Sequence, residues 1–290
     1  MLELFKKIGS CLANGIRFIQ AHFKATLLVL FVLWILIPSG SDGISPHNLQ
    51  KIVLTGPILD ATPIIEQLDE TRENKDVKGV LFSIDSPGGA VAPSVEIAYA
   101  VKRLREAKPV VVYAAGIMAS GGYYSAIWGN EIVANPGSMI GSIGVIMEGA
   151  DISELMKKVG VKTQVVHAGT YKQVGTFDRP WSSVERAELD KVIGGTYDLF
   201  VGDVARARKL DLNRSADFAD AHIFTAAQAK KVKLIDSIGV EFDAKNRVAA
   251  LSKVKDPVWN KEDPMDRFFK RFAAEGASLA HMYFPPVTLK

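Results

Sequence analysis

The chain reads as an α/β protein built on a mostly parallel sheet. Three observations predict this class. Two near-continuous apolar runs, "KGVLFSI" (Lys78–Ile84) and "PVVVYAA" (Pro109–Ala115), have the composition of strands covered on both faces. A helical pattern, "VAPSVEIAYAVKRLREA" (Val91–Ala107), lies between them, and strand–helix–strand alternation implies parallel pairing. Each apolar run ends in a glycine-rich turn, where an open α/β sheet places its ligand crevice.

The elements follow in order. "KIVLTGPI" (Lys51–Ile58) reads as the first strand, and Thr62 with Pro63 signals a helix start. After the two buried strands, further short strands are expected around Glu131–Ala134, Ile143–Met147 and Thr163–His167. A long helix follows from Ser182 to about Lys209. A last helix and strand pair, "TAAQAKKVKLID" (Thr225–Asp236), closes a domain that spans 51–250. The tail, 251–290, carries Phe268, Phe269 and Phe272 beside Arg267, Lys270 and Arg271, which suits an amphipathic helix on a membrane, on a neighbouring subunit or on its own domain.

At the N-terminus, "ATLLVLFVLWILIP" (25–38) is uncharged, preceded by Lys6, Lys7, Arg17 and Lys24 and followed by small polar residues. This asymmetry predicts that residues 1–24 stay cytoplasmic and that everything beyond a linker at 39–50 is translocated. Fourteen residues span roughly 21 Å of helix, short of the roughly 30 Å hydrocarbon core. Phe18–Phe23 can extend the helix while Lys24 snorkels, so an uncleaved signal anchor is favoured. Cleavage near Ser39 or Ser41 is the competing reading. The domain at 51–250 is thus expected on the extracytoplasmic side of the cytoplasmic (inner) membrane.

Charge and composition exclude other classes. A net charge of +3 with no dense basic block gives no reason for a nucleic-acid partner. Cys11 is the single cysteine, which excludes an internal disulfide and a cysteine-rich metal site.

Chemistry concentrates in the two turns. In "SPGG" (Ser86–Gly89), consecutive glycines before a helix let a backbone N–H point outward at an anion. In "GIMASGGYYSAIWG" (Gly116–Gly129), Ser120 stands among Ala119, Gly121 and Gly122. Small neighbours would leave its hydroxyl exposed at a strand-to-helix junction. Met118 takes the first glycine position of a G-x-S-x-G elbow, so a nucleophile and a plain turn serine both stay open on this signal alone. A nucleophilic serine needs a base. His22, His47, His222 and His281 fall in anchor, linker or tail contexts or before an apolar pair; only His167 could serve as a base, and its place at a strand end is better explained by a local hydrogen bond. A desolvated lysine is the other route, and Lys172 is set apart from the helix-face lysines by its glycine-punctuated loop, "HAGTYKQVGTFDRPW".

Four blocks taken together are more specific: "SIDSPGG", "GIMASGGYYSA", "NPGSMIGSIGVI" and "GTYKQVGTFDRPWSSVER". In this order and spacing, across about residues 50–245, the chain resembles the short form of the signal peptide peptidase A family of membrane-bound serine proteases. The resemblance implies a fold like that of the Clp protease subunit and the crotonases. It implies Ser120 as nucleophile, Lys172 as general base, and the N–H groups of Gly89 and Gly121 as oxyanion hole, with no metal or other cofactor. Clp-type subunits carry a histidine in the segment similar to "SMIGSIGV"; this chain has Gly141 there and no histidine, which excludes that triad. Long-form relatives place lysine and serine in different tandem repeats, whereas this chain has one copy. The expected assembly is therefore a homo-oligomeric ring with sites shared between subunits, acting on hydrophobic peptides such as released signal peptides. A crotonase-like acyl-CoA enzyme and a non-catalytic membrane scaffold are the rival readings.

Overall fold

The computed structural model describes residues 47–260 and five positions of the N-terminal segment, 22, 23, 25, 27 and 28. The expected anchor at 25–38 and the aromatic part of the tail fall almost wholly outside these residues. Among the described residues, no helix is long and apolar enough to cross a membrane.

The domain opens with β1 (Leu49–Thr55), α1 (Thr62–Glu73), β2 (Gly79–Ser86), α2 (Val91–Ala107) and β3 (Val110–Ala119). β1 pairs in parallel with β2, and β2 with β3, as the strand–helix alternation requires. Pro63 at the start of α1 and the 17-residue length of α2 agree with the sequence. A short helix α3 (Gly121–Ala126) follows, then β4 (Glu131–Ala134) and β5 (Met139–Gly141). β3 has two neighbours on one side: Val111–Ala114 pairs with β4, and Ile117–Ala119 pairs with β5. The end of β3 is thereby held between β2 and β5, and Ser120 is the next residue.

Beyond a short helix α4 (Ser153–Val159), the long helix α5 (Ser183–Arg208) leads to β6 (Ile223–Thr225), α6 (Ala226–Lys231), β7 (Ser237–Ile238) and α7 (Glu241–Leu251). β6 is antiparallel to β5, the one such pair in an otherwise parallel sheet among the described residues.

Period-two alternation on the strands feeds two apolar layers. Val80, Phe82 and Ile84 of β2 face the larger cluster, with residues of α1, α2, α3, α5 and α6. Leu81 faces the other way, with Val111, Tyr113 and Val133, against Ala244 and Val248 of α7. This double cover is why β2 reads as a continuous apolar run rather than an alternating one.

Two expected strands are corrected. Residues 143–147 and 163–167 are not strands. The sheet takes Met139–Gly141 instead, and Val145 and Ile146 turn away to line a cleft. Val165 and Val166 are exposed, and β-branched composition alone does not make a strand where no neighbouring strand offers hydrogen bonds. Residues 252–260, which the sequence places in the tail, run back along β1: Asn48 N–H donates to Val258 O, and Trp259 bridges Leu49.

Candidate active site

Ser120 sits where the fold changes direction. It joins β3 to α3 with φ 52° and ψ −125°, a conformation that costs an L-residue on the order of 1–3 kcal/mol. Its backbone is fixed from two sides: Ser120 N–H donates to Gly141 O of β5 (2.7 Å), and Tyr124 N–H donates to Ser120 O (2.9 Å). The strain holds the side chain out of the strand, as at a nucleophile elbow, even though Met118 stands where that motif has glycine. The Ser120 side chain hydrogen-bonds to no group among the described residues, and Ser120 lines a cleft of about 90 Å³ that opens to solvent.

The S-P-G-G turn lies directly against this junction. Gly88 has φ 97°, and a Cβ there would come within 2.6 Å of Gly121 N and 2.8 Å of the Ser120 Cβ. Backbone packs on backbone, which only glycine allows. A Cβ on Gly121 would sit 3.3 Å from Gly89 N, so the two peptide N–H groups lie on adjoining turns. Ile58 N–H donates to Gly88 O and Ala90 N–H to Ile58 O, pinning the turn to the chain after β1. Among the described residues, neither Gly89 N–H nor Gly121 N–H donates to an internal acceptor. Two unused donors beside a strained serine match the requirements of an oxyanion hole.

The rest of the cleft is largely apolar: Val91 and Val95 of α2, Tyr124 of α3, Leu199 and Phe200 of α5, and Val145 and Ile146. Tyr124 packs edge-on against Phe200 with ring centroids 4.8 Å apart. Its hydroxyl donates to the buried Asp203 carboxylate, which also pairs with Arg206. Burial, then the Asp203 hydrogen bond, pushes the Tyr124 phenol far above its ordinary range. Tyr124 is therefore a fixed donor near neutral pH and not a base.

Lys172 is exposed, lies in a run of bends and turns over 168–175, and is not among the residues lining the Ser120 cleft, whereas Gly89 and Gly121 line it with Ser120. The Lys172 loop is nonetheless built. Asp178 accepts hydrogen bonds from Thr163 and Thr176, and Trp181 Nε1 donates to Thr176 O at 2.7 Å. Arg179 forms a fork on Glu185 at 2.8 and 2.7 Å and reaches Gln173, the neighbour of Lys172. Glu185 in turn accepts from the backbone N–H of Ser182, closing a capping box at the start of α5. These anchoring residues stand in the "DRPWSSVER" block, and the S-x-x-E spacing is the one local signal that exposes their role. His167 is exposed, with Nδ1 3.2 Å from Gly169 O.

The fork gives a pH signature. Arg179, then Ser182, holds the Glu185 carboxyl down at about 2, against an ordinary value of 4.5. A depressed folded value means this contribution is complete above about pH 4.5 and is lost as pH falls toward 2. Glu185→Gln is expected to flatten the acid limb of a thermal-midpoint profile between those values while leaving its shape above pH 6 unchanged. An acid limb identical to wild type would refute the assignment.

Comparison with known proteins gives the family. The family model for peptidase family S49 matches residues 102–255. A "Putative protease" of Methanocaldococcus jannaschii is 41% identical over 216 residues, covering 74% of this chain and 67% of its own length. A similarly named protein of Synechocystis is 39% identical over 207 residues, covering 71% and 74%. The "Serine protease SPPA, chloroplastic" of Arabidopsis thaliana is 31% identical over 201 residues, 69% of this chain and 29% of that protein. With more than half of its length matched by the family model and its glycine-framed serine where the resemblance places a nucleophile, this chain belongs to peptidase family S49, the signal peptide peptidase A family of serine proteases.

Proposed function

We propose that the protein is a membrane-anchored serine endopeptidase that cleaves hydrophobic peptides, released signal peptides among them, with Ser120 and Lys172 as a dyad assembled between subunits. The observation that carries it is the strained Ser120 beside two undonated N–H groups at the head of an apolar cleft. In the mechanism, Ser120 Oγ attacks the scissile carbonyl carbon and its proton passes to the neutral Lys172 amine of a neighbouring subunit. The N–H groups of Gly89 and Gly121 receive the oxyanion. Collapse breaks the C–N bond while the Lys172 ammonium protonates the leaving amine. Water then attacks the acyl-enzyme by the same route in reverse.

The shared dyad is supported by the absence of Lys172 from the lining of the Ser120 cleft, by its exposure, and by closed rings being a common form of homo-oligomer. The apolar lining supports hydrophobic residues as substrate side chains. The membrane anchor is supported by the charge asymmetry about 25–38. One preparation tests the nucleophile and the anchor. Membranes washed with alkaline carbonate and treated with a fluorophosphonate are expected to hold a labelled full-length chain in the pellet, with no label on Ser120→Ala. Equal labelling of Ser120→Ala would overturn the nucleophile, and a shortened, soluble labelled form would overturn the anchor.

A further inference from the structure

We infer that Ser86 is a positioning residue for the oxyanion hole: its buried hydroxyl, relaying a hydrogen bond from Gly88 N–H to Gly56 O, sets the turn that aims the Gly89 N–H at the reacting carbonyl. The inference rests on the hydrolase reading above and adds a residue to it. Ser86 is the last residue of β2, and its side chain is fully buried. Its Oγ donates to Gly56 O at 2.6 Å and accepts from Gly88 N–H at 3.1 Å. Gly56 N–H in turn donates to Asp85 O at 2.9 Å, so the Ser86 hydroxyl and one backbone bond together tie the end of β1 to the end of β2.

Three features make this more than the satisfaction of a buried polar atom. The relay enters the turn at Gly88, whose φ is 97° and whose carbonyl is held separately by Ile58 N–H, so the Ser86 hydroxyl is what fixes the N–H side of that residue. Ser86 is paired in register with Met118, two residues before Ser120, so the same residue touches the nucleophile strand through its backbone. Finally, a Cβ on Gly122 would lie 2.7 Å from Ser86 O and 3.2 Å from the Ser86 Cβ, so the first turn of α3 also rests on Ser86. A single buried serine thus fixes the spacing between the two turns that carry the N–H donors. Donors of this kind work only if they are preorganised toward the position the oxyanion takes. Chained hydrogen bonds also polarise one another, which stiffens the relay.

The test uses the full-length chain in detergent, a fluorogenic hydrophobic peptide and a peptide aldehyde that adds Ser120 Oγ across its carbonyl to give a tetrahedral hemiacetal. Ser86→Ala is expected to lower kcat about tenfold to a hundredfold, less than or comparable to deleting one oxyanion donor outright, with KM within about twofold. The aldehyde's Ki is expected to rise by a similar factor, since it senses the tetrahedral state. Ser86→Cys, nearly isosteric, is expected to fall between the two, and it carries the test if the alanine variant melts below assay temperature. An unchanged kcat, or a KM rise without a kcat loss, would overturn the inference alone while wild type still labels with fluorophosphonate. A wild type that neither labels nor cleaves would overturn the hydrolase reading and this inference with it.

Discussion

Ser120→Ala and Lys172→Ala are each expected to lower kcat/KM by about 10⁴-fold or more on a hydrophobic peptide, because a nucleophile and its base act as one unit and losing either forfeits nearly the whole effect. Neither change removes a hydrogen bond that the fold uses. Ser120 holds its place through backbone N–H and C=O, and Lys172 is exposed, so both variants are expected to melt with wild type. Relief of side-chain crowding at φ 52° is not available to alanine, so Ser120→Ala keeps the strained turn. His167→Ala is expected to retain most activity, since the imidazole is exposed and bonded only within its own loop. Steady-state kinetics with the three variants decides the matter: a His167→Ala enzyme as dead as Ser120→Ala would remove lysine from the role of base.

Mixing inactive Ser120→Ala and Lys172→Ala chains in equal amounts, under conditions where they co-assemble, is expected to restore about one quarter of wild-type activity. The number follows from geometry. If each site joins the serine of one subunit to the lysine of its neighbour in a closed ring, a random junction carries both intact partners with a probability of roughly one half times one half. The structure motivates the experiment by what one chain brings together: Ser120, Gly89 and Gly121 share the cleft region, and Lys172 does not line it. If the dyad forms within a chain, every site lacks one member and nothing returns. A null result with co-assembly verified by mass would therefore eliminate the shared site.

The α/β class, the parallel core and the two glycine-rich turns that frame Ser120 were legible in the amino-acid sequence because their signals are local. β2 and β3 sit in one double-covered layer, so burial on both faces wrote itself as uninterrupted apolar runs. The helix over Val91–Ala107 and the long helix after Ser182 carry their own periodicity and cap. A Cβ on Gly88 would enter the Ser120 turn and one on Gly121 would meet the Ser94 side chain of α2, so close packing at both positions leaves a compositional mark. The four sequence blocks further supplied the family, and the family comparison agrees with it.

Tertiary structure decided what depends on partners distant in sequence. Val145 and Ile146 look like strand residues, yet they line the cleft because β3 already has β4 and β5 as neighbours on that side. Asp203 and Tyr124 are 79 residues apart, and no local pattern announces that a helix 183–208 acceptor will hold a phenol beside the nucleophile turn. Ser86 reads as an ordinary turn residue until Gly56, thirty residues earlier, is found at its hydroxyl. The sequence by itself determined which residues are candidates for the chemistry, since nucleophilic side chains and glycine geometry are properties of residue type and near neighbours. Where those residues meet was decided only by the packing of the sheet and helices, because hydrogen-bond partners and cleft walls are set by long-range contacts that no short window of sequence contains.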